Sequence, residues 1–224
     1  LPRSRGLGDV YKRQGVVEAL PYLIKNTEYL MDPDDAEKID FKDQRVAVLG
    51  GGDTAMDCVR TAVRQQAKSV TCIYRRDQEN MPGSIREIKH AMEEGVDFLF
   101  NTQPLKVEGN GSITSLKVCE TKLGEPDATG RQRPELIEGS EKAIEVDKLV
   151  IAFGYQADVP DFVLDKNVKI SDTGLVELNN NKFNYQTSNP KYFAGGDMII
   201  GSSLAVHAIA HGRDAAKEII KFLG

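Results

Sequence analysis

The stretch from Arg45 to Arg76 constrains the fold of this chain more than any other part of the sequence. A short apolar run from Arg45 to Leu49 stops at three glycines, as expected for a strand that is buried on both faces. Apolar residues recur at helical spacing from Thr54, and a second β-rich run extends from Ser69 to Tyr74. The order strand, helix, strand requires a crossover connection, so it predicts a parallel sheet in an α/β domain.

The turn between this first strand and the helix has the pattern G-x-G-x-x-G/A. In this pattern the first glycine allows the tight turn, and the second lets the backbone approach a pyrophosphate. The helix amides would then face the phosphates. An ordinary strand-to-helix turn can contain the same glycines, but the strand before it and the helix after it favour dinucleotide binding. The predicted cofactor-binding residues of this turn are Gly50, Gly51, Gly52, Asp53, Thr54 and Ala55.

The end of the second strand indicates which dinucleotide is bound. NAD-binding units place an acid about 20 residues past the glycines, where it bonds the ribose 2′-hydroxyl. Here Tyr74 is followed by Arg75 and Arg76 instead. Each guanidinium can make a bidentate, charge-assisted contact with a 2′-phosphate. An arginine pair on a surface turn is often merely solvated, but at this position it favours NADPH over NADH.

The start of the chain reads as foreign to the fold. The segment from Ser4 to Gln14 matches the in-frame translation of a transposon-type sequencing adaptor that ends in GAT GTG TAT AAG AGA CAG. We therefore expect residues 1–14 to be a non-native tail that is disordered or packs only incidentally, and the chain to be a C-terminal fragment whose native sequence begins near Gly15. Without this tail the formal net charge changes from −5 to −8.

Composition and spacing exclude several other classes of function. The acidic balance argues against nucleic acid or a membrane surface as a partner, and the absence of an apolar run of about 18 residues favours a cytoplasmic protein. Cys58, Cys72 and Cys119 show no C-x-x-C spacing, which leaves no redox disulfide or iron–sulfur site within the chain. His207 and His211 lack a third ligand, so we interpret them as partly exposed helix residues rather than a metal site.

The remaining segments predict further elements of an α/β fold. We expect a helix from Gly15 to Met31 and a second helix with Ser84 at its N-cap. Antiparallel strands should follow between residues 104 and 146, interrupted by a long polar loop at 124–134. Near the end, a short strand runs into Gly195-Gly196-Asp197, and a helix begins near Ser202 or Ser203 with its apolar residues mostly inward. By spacing alone this turn fits a capped strand end slightly better than a binding motif.

With these stretches placed, the chain closely resembles the small (β) subunits of bacterial NADPH-dependent glutamate synthases. The resemblance covers nearly everything from Gly15 to the end, and related flavin reductases share much of the pattern. It rests on the motifs VLGGGDTAMDCVRTAVRQ, YRRDQENMPGS, LGEPDATGR, AFGYQAD, QTSNPKYFAGGD and AIAHGRDAA. It implies a glutathione-reductase-like flavoprotein with two dinucleotide-binding domains, the Rossmann-like NADPH domain with its antiparallel β-meander being inserted into the FAD domain.

The resemblance also implies domain limits and FAD contacts. Residues 15–40 would be a connecting helix and linker, residues 41–152 the NADPH domain, and residues 153–224 the C-terminal part of the FAD domain. Asp197 would bond a hydroxyl or phosphate of FAD, and the helix after it would aim its amides at the flavin. The residues implied on the FAD side are Ala152, Phe153, Gly154, Gly196, Asp197, Ser203, Leu204 and Ala205.

In the family, hydride passes from NADPH to FAD, and electrons leave through iron–sulfur clusters to the large (α) subunit, where an imino intermediate made from 2-oxoglutarate and ammonia is reduced to glutamate. The cofactors supply this chemistry, so no catalytic side chain is expected here. The family's 4Fe–4S region and first FAD-binding glycine turn are expected before residue 15, which leaves only a half-site for FAD. The alternatives are a sister flavin reductase subunit, of ferredoxin–NADP or sulfide dehydrogenase type, and an NADPH-binding module without turnover.

Overall fold

The computed structural model describes residues 13–37, 39–126, 132–154, 157, 159–179 and 182–224. Within it the chain divides into two compact units, one up to Gly154 and one from residue 155 to Gly224. The helices of the first unit are α1 (Ala19–Met31), α2 (Asp53–Arg64) and α3 (Ile85–Glu93). Its strands are β1 (Val16–Glu18), β2 (Arg45–Leu49), β3 (Ser69–Ile73), β4 (Asp97–Leu99), β5 (Thr102–Glu108), β6 (Ser115–Pro126), β7 (Gln132–Leu136), β8 (Lys142–Glu145) and β9 (Lys148–Ile151).

The first unit is built on a parallel sheet with the strand order β1-β9-β2-β3-β4. Alternate residues of the central strand β2 face opposite layers, as strand geometry requires. Val46 and Val48 pack with the helices, whereas Ala47 and Leu49 pack with the antiparallel strands β5, β6 and β8. Both faces of the sheet are therefore covered, which confirms the predicted α/β fold with an antiparallel layer.

Two predicted elements of this unit have different limits in the structure. The helix expected from Gly15 begins only at Ala19, because Val16–Glu18 pairs in parallel with β9 and its β-branched valines suit a pleated edge. The polar loop expected at 124–134 is shorter, because β6 and β7 continue their ladder to Pro126 and Gln132. Polar side chains do not prevent this pairing, since the ladder bonds are made by the backbone.

Only the last two residues of the predicted adaptor tail lie within the described part of the chain. Gln14 donates its amide to the Gly111 carbonyl, and its own carbonyl accepts the amide of Ile113. Arg13 reaches the Gly109 carbonyl at 3.0 Å. The Gln14 bonds are main-chain bonds, so they do not depend on which side chain stands there.

The second unit contains α4 (Asp161–Leu164), α5 (Asp197–Ile200) and α6 (Ala205–Leu223). Its described residues form isolated antiparallel bridges rather than a sheet. The prediction that the last helix turns its apolar residues inward is wrong: Val206 and Ile209 are 63% and 71% exposed, and only Ala215 of α6 is buried. Isolated bridges offer no broad apolar sheet face on which such a helix could pack.

None of the helices in the described part of the chain combines the length and the apolar character that a membrane crossing needs.

Candidate dinucleotide-binding site

The three glycines after β2 have different surroundings. Gly50 has φ +141°, and a Cβ placed on it would lie 2.2 Å from the carbonyl oxygen of Ala152. A Cβ on Gly51 would lie 2.6 Å from the ring of Tyr74. A Cβ on Gly52 would meet no atom within 4 Å. The first two glycines are therefore required by packing inside the protein, whereas Gly52 leaves open space beside the backbone, as the approach of a pyrophosphate requires.

The helix that follows the glycines presents its N-terminus at this open space. Gly52 is the N-cap of α2, and its carbonyl accepts the amides of Ala55 and Met56. Ala55 is fully buried, so its small side chain lets α2 pack closely on the sheet. Thr54 is half-buried in the first turn. The first amides of a helix have no intrahelical acceptor, and together with the helix dipole they favour an anion.

Asp53 has a contact that the sequence did not reveal. Its Oδ1 accepts the amide of Ser84 at 2.7 Å, so the carboxylate binds the start of α3. Beside it the amide of Gly83 donates to the Gly51 carbonyl at 2.9 Å. A Cβ on Gly83 would lie 2.9 Å from that same carbonyl, so no larger residue fits. In the sequence, the turn-forming pair Pro82-Gly83 is the signal that could have indicated this close approach to Gly51.

The arginine pair lies at the carboxyl end of β3, next to the glycine turn, because β3 pairs with β2 in parallel up to Ile73 and Leu49. The guanidinium of Arg76 contacts the hydroxyl of Tyr74 and two oxygens of Asn80, at 3.2–3.3 Å. The carbonyl of Arg75 accepts the hydroxyl of Thr121 at 2.8 Å. Both arginines are half-buried, so the strand end holds two cations close to the proposed phosphate path.

Two uncharged residues, Met81 and Cys72, stand on either side of the arginine pair along the chain. Met81 stands five residues past Arg76, and it is only 8% exposed within the core. It therefore supplies no charge to the site. The thiol of Cys72 lies 3.3 Å from the Gly50 carbonyl, and burial raises its pKa to about 12. It remains a thiol at neutral pH and packs as a small apolar residue.

The residues Ala152, Phe153 and Gly154, expected on the FAD side, follow β9 in the first unit. The amide of Ala152 donates to the Leu49 carbonyl at 2.8 Å, which fixes Ala152 beside Gly50. Phe153 packs against the cluster between the sheet and the antiparallel strands. Gly154 has φ +82° and is exposed.

The other predicted FAD residues lie in the second unit. Gly196 has φ +68°, and a Cβ on it would lie 3.2 Å from the side chain of Ala208 in α6. Its amide donates to Nδ1 of His211 at 3.0 Å, which ties the Gly-Gly-Asp turn to this helix. Asp197 is exposed at the start of α5. Three further predicted residues are exposed where α6 begins: Ser203, Leu204 and Ala205.

Both histidines of α6 have local partners in the structure. His211 accepts the Gly196 amide, and Nδ1 of His207 lies 2.8 Å from the Ser203 hydroxyl.

Cys58 and Cys119 are buried free thiols, and burial raises the pKa of Cys58 to about 12. Across the described ranges, no group of three or more His, Cys, Asp or Glu side chains is placed to hold a metal ion.

Comparisons with known proteins show the family of this chain. A family model described as pyridine nucleotide-disulphide oxidoreductase matches residues 12–212. The glutamate synthase (NADPH) small chain of Escherichia coli K12 is 51% identical over 217 residues, which are 93% of this chain and 46% of that protein. The protein of the same name from Halomonas elongata is 49% identical over 93% of this chain and 45% of its own length.

Among solved structures, Mycobacterium tuberculosis FprA in complex with NADPH has the same fold. Its TM-score is 0.64 at 14% identity, over 83% of this chain and 54% of that one. This chain thus spans about half the length of the curated relatives it matches. The family match extends over both compact units. The chain belongs to the pyridine nucleotide-disulphide oxidoreductase family.

Proposed function

We propose that this chain is the NADPH-binding, electron-input part of a glutamate synthase small subunit. The observation that supports this most is the open Gly52 at the start of α2, with the Arg75–Arg76 pair on the neighbouring strand end. The 51% identity to a glutamate synthase small chain supports the choice of enzyme within the family.

Each part of the site has a separate task in this proposal. The amides at the start of α2 bind the pyrophosphate of NADPH, and the missing side chain of Gly52 gives the phosphates access. The guanidinium groups of Arg75 and Arg76 bind the 2′-phosphate. This proposal requires no side chain as a nucleophile or base, because NADPH would supply a hydride and FAD would accept it.

The second unit supplies a half-site for FAD in this proposal. Gly196 brings backbone close to α6, and Asp197 is exposed to accept a hydroxyl hydrogen bond or to stand beside a phosphate. The exposed start of α6, at Ser203 to Ala205, offers amides to the flavin ring. Ala152, Phe153 and Gly154, at the end of the first unit, are proposed as FAD contacts in their own right.

The partner in this proposal is the large (α) subunit of glutamate synthase, which receives the electrons. The 4Fe–4S clusters on that route would be bound elsewhere in the complete protein, since the three cysteines described here are buried and free. Reduction of the imino compound formed from 2-oxoglutarate and ammonia would take place in the large subunit.

The test is the activity of the complete small subunit together with the large subunit. We expect NADPH oxidation that depends on both glutamine and 2-oxoglutarate, with glutamate as product. Oxidation that proceeds with an artificial electron acceptor but never responds to 2-oxoglutarate would instead favour a sister flavin reductase.

A second candidate function concerns the chain by itself. The glycine turn, the arginine pair and the segment from Asp77 to Ser84 all belong to one compact unit that ends at Gly154. This unit has its own sheet and core. The isolated chain would therefore bind NADPH by itself. An acceptor-reduction assay on the 224-residue chain would test whether it acts as a binding module without turnover.

A further inference from the structure

We propose that Asn80 is a positioning residue that holds the Arg76 guanidinium for the 2′-phosphate, and so contributes to the preference for NADPH over NADH. This inference rests on the proposed NADPH function. Asn80 is not part of the glycine fingerprint, and it follows the arginine pair in the turn-rich segment DQENMPGS.

The guanidinium of Arg76 donates three hydrogen bonds within the protein. Nη1 donates to the side-chain oxygen of Asn80, and Nη2 donates to the backbone carbonyl of the same residue, each at 3.2 Å. Nε donates to the hydroxyl of Tyr74 at 3.3 Å. An arginine has five N–H donors, so two remain for a ligand after these three bonds. The three bonds restrict a side chain that would otherwise sample many rotamers.

Asn80 is itself held in place by two further groups. Oδ1 of Asp77 accepts both the backbone amide and the side-chain amide of Asn80, at 2.9 and 2.8 Å. The hydroxyl of Tyr74 donates to the Asn80 carbonyl at 2.7 Å. The side chain of Asn80 therefore has a fixed orientation, with its amide toward the acid and its oxygen toward Arg76.

The same segment is attached to the glycine turn at its other end. The amide of Gly83 binds the Gly51 carbonyl, and the amide of Ser84 binds Asp53. The ring of the buried Tyr74 packs on Gly51. The segment from Asp77 to Ser84, here called the clasp, thus joins the proposed 2′-phosphate site to the proposed pyrophosphate site. A ligand that must satisfy both sites at once benefits when their spacing is set in advance.

A double-mutant cycle on the complete chain tests this inference. NADPH and NADH are titrated into wild type, Asn80→Ala, Arg76→Ala and the double variant. Asn80→Ala removes the bond from Nη1 but keeps the bonds to the backbone carbonyl and to Tyr74. We expect this looser hold on one flexible side chain to weaken NADPH binding roughly three- to tenfold and to leave NADH unchanged. In the Arg76→Ala background the same change should have no further effect, because the group that it positions is gone.

Two further variants separate positioning from damage to the fold. Gln78→Ala changes an exposed residue of the clasp and should bind both nucleotides as wild type does. Tyr74→Phe keeps the ring on Gly51 but removes the hydroxyl, so it should lower NADPH affinity in the same direction as Asn80→Ala.

The outcomes distinguish this inference from the proposed function. If wild type prefers NADPH and Asn80→Ala keeps the full preference, or weakens both nucleotides equally in both backgrounds, Asn80 does not position Arg76. If wild type itself binds NADPH and NADH equally, the proposed NADPH function fails and the inference fails with it.

Discussion

At Gly50 and Gly52 the same residue type meets two different physical needs. Gly50 has a positive φ and lies against the Ala152 carbonyl, so its lack of a side chain serves the fold. Gly52 has φ −89°, which any residue can adopt, and open space beside it. Packing therefore does not require glycine at this N-cap, and the open space fits the approach of a ligand. This separation lets stability and binding be tested at positions only two residues apart.

The first prediction compares alanine at these two glycines. Gly50→Ala should destabilise the first unit by about 3 kcal/mol or more, because the Cβ cannot be placed 2.2 Å from a backbone oxygen. Gly52→Ala should cost less than about 1 kcal/mol in stability but weaken NADPH binding at least about tenfold. Thermal melts and nucleotide titrations on both variants measure this. A Gly52→Ala protein with wild-type affinity would show that the pyrophosphate lies elsewhere.

The second prediction concerns the arginine pair. Replacing Arg75 and Arg76 together with alanine should weaken NADPH binding by roughly ten- to a hundredfold, since a charge-assisted hydrogen bond contributes about 1.5–3 kcal/mol. NADH, which lacks the 2′-phosphate, should bind as before. Isothermal titration with both nucleotides is the measurement. Arg64→Ala, an exposed arginine near the end of α2, is the control, and equal losses for both nucleotides would contradict the assignment.

At the scale of elements, one ion pair joins the starts of two neighbouring strands. Arg45 opens β2, and Asp147 directly precedes β9. The carboxylate accepts the Arg45 amide at 2.8 Å and two guanidinium N–H groups at 2.9 and 2.7 Å. Strand β9 lies between β1 and β2, so this pair fixes the end of the sheet opposite the glycine turn.

The third prediction is a pH dependence that arises from this pair. Hydrogen bonds from Arg45 lower the pKa of Asp147 to about 2, from an ordinary value of about 4. The folded-state pKa is lowered, so the stabilisation is complete above about pH 4 and is lost as the pH falls toward 2. Asp147→Asn should therefore lower Tm at pH 7. Between pH 4 and pH 2 the Tm of this variant should fall less steeply than the Tm of wild type.

The matched control for this prediction is Glu120→Gln. Glu120 pairs with Lys142, and both side chains are about half exposed. Exposed pairs of this kind contribute little to stability, so the Tm of Glu120→Gln should equal the Tm of wild type at each pH. If Asp147→Asn also follows wild type, the Arg45 pair has no net effect on folding.

At the scale of the whole molecule, the fourth prediction concerns flavin. The sequence has a single G-x-G-x-x-G/A turn, and we assign it to NADPH. The FAD half-site that we propose around Asp197 would therefore have no second glycine turn of this pattern in the 224 residues to bind the flavin pyrophosphate. The 224-residue chain should therefore bind NADPH, purify colourless and fail to reduce an artificial acceptor, with or without added FAD. A yellow preparation with NADPH-dependent acceptor reduction would show that the half-site is sufficient.

The central β-α-β unit and the position of the glycine turn can be predicted from the amino-acid sequence without the folded structure. Both follow from local patterns: an apolar run, glycines at fixed spacing and a helical period starting at Thr54. The arginine pair could also be placed next to the turn, because parallel strands end at the same edge of a sheet. These features depend on residues near one another along the chain, so a single sequence contains enough information to predict them.

Contacts between distant segments, in contrast, are known only from the folded structure. It paired Val16–Glu18 with β9, left the apolar side chains of α6 exposed, and placed the clasp between Asp53 and Arg76. Strand pairing and side-chain contacts of this kind depend on which backbone edges and polar groups are brought together in space. The two residues of such a contact lie from a few to more than one hundred positions apart in the sequence. The local spacing of apolar residues does not indicate which of them will meet. For this reason the contact between Asn80 and Arg76 was identified from the structure and not from the sequence.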